Sequence, residues 1–168
     1  VAEYAALIAE ELGWDKKEIR NLKNAAHLHD IGKIGIPDNI LNRPTRLTEE
    51  EFQVIKEHTV IGAEILKNIT LIDHVKEVAR SHHERYDGMG YPDGLKGDEI
   101  PISAQIVSMA DVYDALTSER CYKKAFSHET AIQMIQNGEC GAFNPLLIKC
   151  LVEIQDELKN YTQHLADK

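Results

Sequence analysis

His29 and Asp30 stand side by side where an apolar helical repeat ends, in the stretch HLHDIGKIGIPDNIL at residues 27–41. A carboxylate directly after an imidazole suits metal chemistry, because its two oxygens can bridge two ions about 3.5–4 Å apart that share an activating water. Lys33, three residues on, could hold an ammonium over a phosphoryl oxygen as charge builds there, and by spacing alone it serves equally well as a solvated loop lysine. His58, the pair His82 and His83, and Asp111 extend the same chemistry along the chain. A lone inward histidine is more often a hydrogen-bonded core residue than a ligand. Several inward imidazoles with carboxylates change that balance, since burying unpaired polar groups is costly and a metal satisfies all of them together. Mixed His and Asp donors suit iron, manganese or zinc, and the absence of clustered cysteines argues against a thiolate zinc site. The leading expectation is a hydrolytic metal centre. His27, His74, His128 and His164 lack this context and read as surface or local structural residues.

Helices must position these groups. Val1, Tyr4, Leu7, Ile8 and Leu12 recur at helical spacing, and Gly13 supplies a stop. Asp15 can cap a second helix that runs through Ile19, Leu22 and Ala26 to an inward His29. Thr48 and Glu51 match a capping box, and the helix they open carries Phe52, Ile55, His58, Gly62 and Ile65 on one stripe. A helix with Val75, Val78 and Ala79 delivers His82 and His83 at its C-terminal end. RYDGMGYPDGLKGDEIP then reads as a long functional loop, rich in glycine and proline. From Ser103 a small-residue track of Ala104, Val107, Asp111, Ala115 and Ser118 places Asp111 on a closely packing face. Ser127 can cap a helix ending near Gly138, and Asn144 with Pro145 opens the last one. No strand alternation or internal repeat stands out, so the expected fold is all-α.

The chain has 168 residues and 43% apolar content, enough for one core. Nineteen basic against twenty-eight acidic residues give a net charge of -9, which excludes a broad footprint for polymeric nucleic acid. Any phosphate ligand must be held locally. Apolar runs fall far short of the roughly 20 residues that cross a bilayer, so no membrane contact is expected. Cys121, Cys140 and Cys150 form an odd set without a CxxC pair, which reads as core or surface thiols in a reducing cytoplasm. Val1 lies inside what reads as a running helix, so residues 1–168 are expected to be a single domain, an N-terminally truncated piece of a longer protein.

HDIGKIGIPDNIL, HHERYDGMGYPDGLKGDEIP and ADVYDALTSERCYKKA, in this order, resemble the HD-GYP family, a branch of the HD phosphohydrolases. Here the Gly-Tyr-Pro is Gly90, Tyr91 and Pro92. The resemblance implies an HD-domain helical bundle with a long Gly/Pro-rich loop, and phosphodiesterase action on cyclic di-GMP in bacterial signalling. It further implies a linear product, pGpG, with GMP in some members, and two or three divalent ions, usually iron or manganese. Carried over, the metal ligands are His29, Asp30, His58, His82, His83 and Asp111, with Asp30 bridging and Lys33 near the scissile phosphate. Arg120 and Lys123 match positions that grip ligand phosphates, and Gly90 and Tyr91 belong to a substrate-side loop. The implied chemistry is in-line attack of an activated water on phosphorus, the ribose 3′ oxygen leaving. A homodimer and a regulatory domain N-terminal to this stretch are further expectations.

The chain departs from the family pattern in three places. No histidine precedes His27, where the HD fold usually draws one more ligand from an upstream helix. Gln105 replaces a common Arg, which should remove a positive charge near the site, and AFNP at residues 142–145 replaces a common Phe-Asp-Pro. These departures leave two alternatives: a catalytically impaired cyclic di-GMP sensor or interaction module, and an HD phosphohydrolase acting on another nucleotide.

Overall fold

The computed structural model describes residues 1–69, 74–120 and 123–168, and among them the architecture is all-α. The helices are α1 (Ala2–Glu11), α2 (Lys16–Leu28), α3 (Asp38–Leu41), α4 (Glu49–Leu66), α5 (Val75–Ser81), α6 (Ile102–Thr117), α7 (His128–Gln136), α8 (Pro145–Glu153) and α9 (Gln155–Ala166). Short 3-10 turns at Ile31–Gly35 and Gly97–Glu99 complete the described elements. The helix starts follow local chemistry. Asp15 with Glu18, and Thr48 with Glu51, form reciprocal capping boxes, and the Ser127 and Asn144 side chains accept from Thr130 and Leu146 backbone N–H groups.

Helix α6 runs through the middle and is buried on nearly every side from Ser103 to Ala110. Its small residues Ala104, Ser108 and Ala110 let α1, α5 and α7 pack against it, while α2 lies on α1 and α5, and α4 on α5. Ile8, Leu22, Val78, Met109, Ile135, Leu147 and Leu158 are fully enclosed in the resulting core. That arrangement brings the C-terminal ends of α2 and α5 beside the middles of α4 and α6.

The structure differs from the sequence expectation in three respects. The α4 stripe is only partly inward: His58 and Gly62 are buried, whereas Phe52 and Ile65 are exposed on the flank. The small-residue track of α6 ends one residue early, with Ser118 as its C-cap. The final helix is broken at Ile154, where φ -98 and ψ 12 leave the helical range and redirect the chain so that Leu151, Ile154 and Leu158 all face the core. Cys140 and Cys150 are free thiols, and Cys121 lies outside the described residues.

Candidate metal centre

The histidines are oriented by the helices that carry them. His29 caps the C-terminus of α2, and its Nδ1 donates to the Ala26 carbonyl oxygen. His58 Nδ1 donates to Ile55 O at 2.6 Å within α4, and His82 Nδ1 donates to Val78 O at 2.9 Å at the end of α5. Each ring therefore engages its Nδ1 with a carbonyl of the preceding turn and turns its Nε2 toward the centre. The three Nε2 atoms converge on Asp30.

Asp30 divides its two oxygens between two groups. Oδ1 lies 3.4 Å from His58 Nε2 and 3.4 Å from His82 Nε2. Oδ2 lies 3.2 Å from His29 Nε2, which is in turn 3.6 Å from Asp111 Oδ1. His83 joins the first group: ligand-capable atoms of Asp30, His58, His82 and His83 all fall within 4.8 Å of one another. Such a span is close to what one ion with bonds of about 2.0–2.3 Å can gather. Gly32 makes this approach feasible. A Cβ there would overlap the His58 carbonyl oxygen and stand 2.6 Å from Gly62 N, so only glycine lets the 3-10 turn carrying Asp30 press against α4.

The donor set fits a cation. His29 Nε2 and Asp30 Oδ1 are buried without a hydrogen-bond partner, and leaving such atoms orphaned costs about 1–3 kcal/mol each. Burial pushes His82 downward, and burial with help from the His82 and His58 rings pushes His83 down to about 2, so both are neutral donors. Burial also opposes charge on Asp30, but the surrounding His29, His58 and His82 override it and hold the carboxyl well below its ordinary range. At His29 burial again works against charge, and the adjacent Asp111 and Asp30 carboxylates prevail, raising it to about 10, so its Nε2 carries a proton that a cation would displace. The neutral imidazoles of His82 and His83 beside the Asp30 and Asp111 carboxylates, with no thiolate, suit a divalent ion of the borderline-to-hard class.

Lys33 sits at the rim, its Nζ 3.1 Å from Asp30 Oδ2. On the opposite wall Tyr91 stacks on His83, with centroids 4.9 Å apart and an interplanar angle of 22°. Burial raises the Tyr91 phenol to about 12, so it stays protonated. Gly90 is demanded by the close passage of the chain: a Cβ would stand 2.5 Å from Arg85 N and 2.6 Å from Glu84 Cα, besides meeting the His83 carbonyl oxygen. Arg120 and Lys123 are paired with each other through backbone hydrogen bonds of 3.0 Å in each direction, with Lys123 Nζ over the Phe126 ring. Among the described residues, no ion pair ties either of them to the cluster.

Glu84 was invisible to sequence patterning. It is buried, and its carboxylate accepts from Asp93 N at 2.7 Å and Leu95 N at 3.0 Å, pinning the glycine-rich loop to the root that carries His82 and His83. Its only sequence signal is the acid directly following the twin histidines. Gln105 also acts differently from the expectation of a charge lost beside the ligand. Its buried amide donates to Ile100 O at 2.9 Å and accepts from Asn144 Nδ2 at 3.1 Å. Read from the sequence, Gln105 for Arg and Asn144 for Asp are two departures; in the structure they are the two halves of one contact, a neutral pair where the family pattern puts opposite charges.

A family model described as HD domain matches residues 1–145. A cyclic di-GMP phosphodiesterase response regulator of Xanthomonas campestris pv. campestris is 43% identical over 95% of the chain, which covers 43% of that protein. A 3′3′-cGAMP-specific phosphodiesterase of Vibrio cholerae is 40% identical over 99% of the chain, which covers 32% of it. The chain thus spans less than half the length of these relatives. Among solved structures, a cyclic GMP-AMP specific phosphodiesterase from V. cholerae superposes with a TM-score of 0.68 at 18% identity, over 92% of this chain and 42% of that one, a likeness of fold.

Proposed function

The chain belongs to the HD domain family, in its HD-GYP branch, and on that premise we propose that it is a metal-dependent phosphodiesterase hydrolysing cyclic di-GMP to linear pGpG, a second cut giving GMP. The observation that carries this reading is the division of Asp30, one oxygen toward His58 and His82 and the other toward His29. His29, Asp30 and Asp111 would hold one ion, and Asp30, His58, His82 and His83 a second, and iron or manganese is compatible with these donors. When bound, such ions supply Lewis acidity, polarising a phosphoryl oxygen and lowering the pKa of water.

The chain's own residues do the rest. The Lys33 ammonium, 3.1 Å from Asp30, is placed to face a phosphoryl oxygen of the scissile diester and to stabilise charge that accumulates there. Tyr91 closes the opposite wall as a neutral phenol and shields His83 from solvent. Arg120 and Lys123 would reach the second phosphate of the ring, a role supported by family position. No described helix is long and apolar enough to cross a membrane. We place the domain in the cytoplasm of a bacterium, within a longer protein whose N-terminal region regulates it and which pairs as a homodimer.

The test is anaerobic reconstitution with ferrous or manganous ion, addition of cyclic di-GMP, and product identification by mass spectrometry beside Asp30→Ala. Linear dinucleotide formed only with Asp30 intact is the expected result. If the metal-loaded chain and its longer parent protein both leave cyclic di-GMP intact, the reading is wrong.

A further inference from the structure

Outside the metal cluster, α4 turns a second set of chemical groups toward the loop. Gln53, Lys56, Glu57 and Val60 fall at helical steps of three, one and three, and with the Gly90–Pro92 turn they line a cleft of about 430 Å³. The cleft starts one ring away from the cluster, because Tyr91 forms part of its wall and stacks on His83. A nucleotide whose phosphate lies at the cluster would carry its base in this direction.

Gln53, Glu57 and Val60 are exposed on this face, with Lys56 half-buried among them. Lys56 makes no ion pair with a carboxylate among the described residues, although Glu57 is its neighbour. Its ammonium instead lies 4.8 Å from the Phe52 centroid and 5.2 Å from that of Tyr91, which meet edge to face at 6.1 Å. Phe52 and Val60 are 40% and 43% exposed at the rim, an apolar cost that a flat ligand would remove. An aromatic wall, a donor, a carboxylate and an amide converging on one cleft are the elements with which proteins hold a nucleobase.

The polarity selects the base. Guanine offers acceptors at O6 and N7, which Lys56 complements, and donors at N1–H and the 2-amino group, which a carboxylate accepts as a pair. Adenine presents a donor where guanine has O6 and lacks the 2-amino group, so it would set N–H against ammonium and leave the carboxylate unpaired. We propose that the cleft between α4 and the Gly90–Pro92 turn is a guanine-reading subsite, in which Glu57 accepts from the N1 and 2-amino edge and Lys56 donates to the O6 and N7 side. Built on the phosphodiesterase reading above, it makes α4 the element that separates cyclic di-GMP from a cyclic dinucleotide without guanine, cyclic di-AMP.

The test compares the metal-loaded protein with Glu57→Gln and Lys56→Met on three diesters: cyclic di-GMP, cyclic di-AMP and the base-free bis(p-nitrophenyl) phosphate. One bidentate base contact discriminates by about ten- to a hundredfold. We expect kcat/KM for cyclic di-GMP to fall by about that factor in Glu57→Gln, mainly through KM, and its ratio to cyclic di-AMP to narrow, with the base-free diester unchanged. Equal loss on all three diesters, or an unchanged ratio, overturns the subsite. Calorimetry with GMP and AMP on the same variants reads the subsite without turnover. GMP preference lost in Glu57→Gln supports it even if cyclic dinucleotides are not cleaved, and equal binding of GMP and AMP by the unaltered protein overturns it.

Discussion

At the scale of single residues, glycine and amide positions decide whether the chemistry can assemble. Gly32 has no room for a Cβ against the His58 carbonyl, so Gly32→Ala must push Asp30 away from α4. Overpacking of this kind costs about 1–3 kcal/mol, and here it should also weaken metal binding, because the displaced residue, Asp30, joins the two halves of the cluster. A calorimetric melt and a metal titration check this together; an alanine variant that keeps full affinity would show that the turn need not touch the helix. The Gln105–Asn144 contact makes a second prediction. Gln105→Arg alone buries a guanidinium without a carboxylate and should destabilise, whereas Asn144→Asp alone keeps a good N-cap at a half-buried position and should change little. Together they rebuild an ion pair, and the double-mutant cycle should return a favourable coupling of about 1 kcal/mol or more in denaturant unfolding. Additive effects would mean the two residues are independent.

At the scale of elements, the ends and middles of helices place the site, and the loop is ordered by one buried acid. Glu84 accepts two backbone N–H groups from the far side of the loop. Glu84→Gln keeps the shape but replaces one acceptor by a donor, so one of the two loop N–H groups loses its partner at a cost of about 1 kcal/mol. Hydrogen exchange of the Asp93 and Leu95 amides should quicken, while α6 amides stay protected; unchanged exchange in the loop would refute the pin. What could be read from the sequence follows the same division. A period of 3.6 turns His29 and His58 inward, and the structure buries both, because helical faces are set by local spacing. Phe52 shared that period and yet lies exposed, since its partner is Tyr91, some forty positions away in the chain and on an irregular segment. The turn at Ile154 and the Gln105–Asn144 contact were hidden for the same reason: both answer to tertiary packing, which periodicity does not encode.

At the scale of the whole molecule, α6 is the rod against which the cluster is built. It contributes Asp111 to the site and Met109 and Ala110 to the core, so local damage at the centre and loss of global stability are linked. A cation that binds only the folded chain stabilises it by mass action, about 2.7 kcal/mol at a hundredfold excess over Kd. For a domain of this size about 1 kcal/mol moves Tm by roughly 2–4 °C, so metal should raise Tm by about 5–10 °C and a chelator should reverse the gain. The −9 charge leaves the bulk of the surface without attraction for phosphate. Binding of a cyclic dinucleotide should therefore depend on the loaded centre.

The most direct measurement is metal content together with turnover for the unaltered protein and Asp30→Ala. If Asp30 joins both halves of the cluster, the unaltered protein should carry about two iron or manganese ions per chain and open cyclic di-GMP, as a two-metal site requires. Asp30→Ala should then lose both the ions and the activity. Full metal content in Asp30→Ala, or hydrolysis by protein stripped of metal, would contradict the central claim.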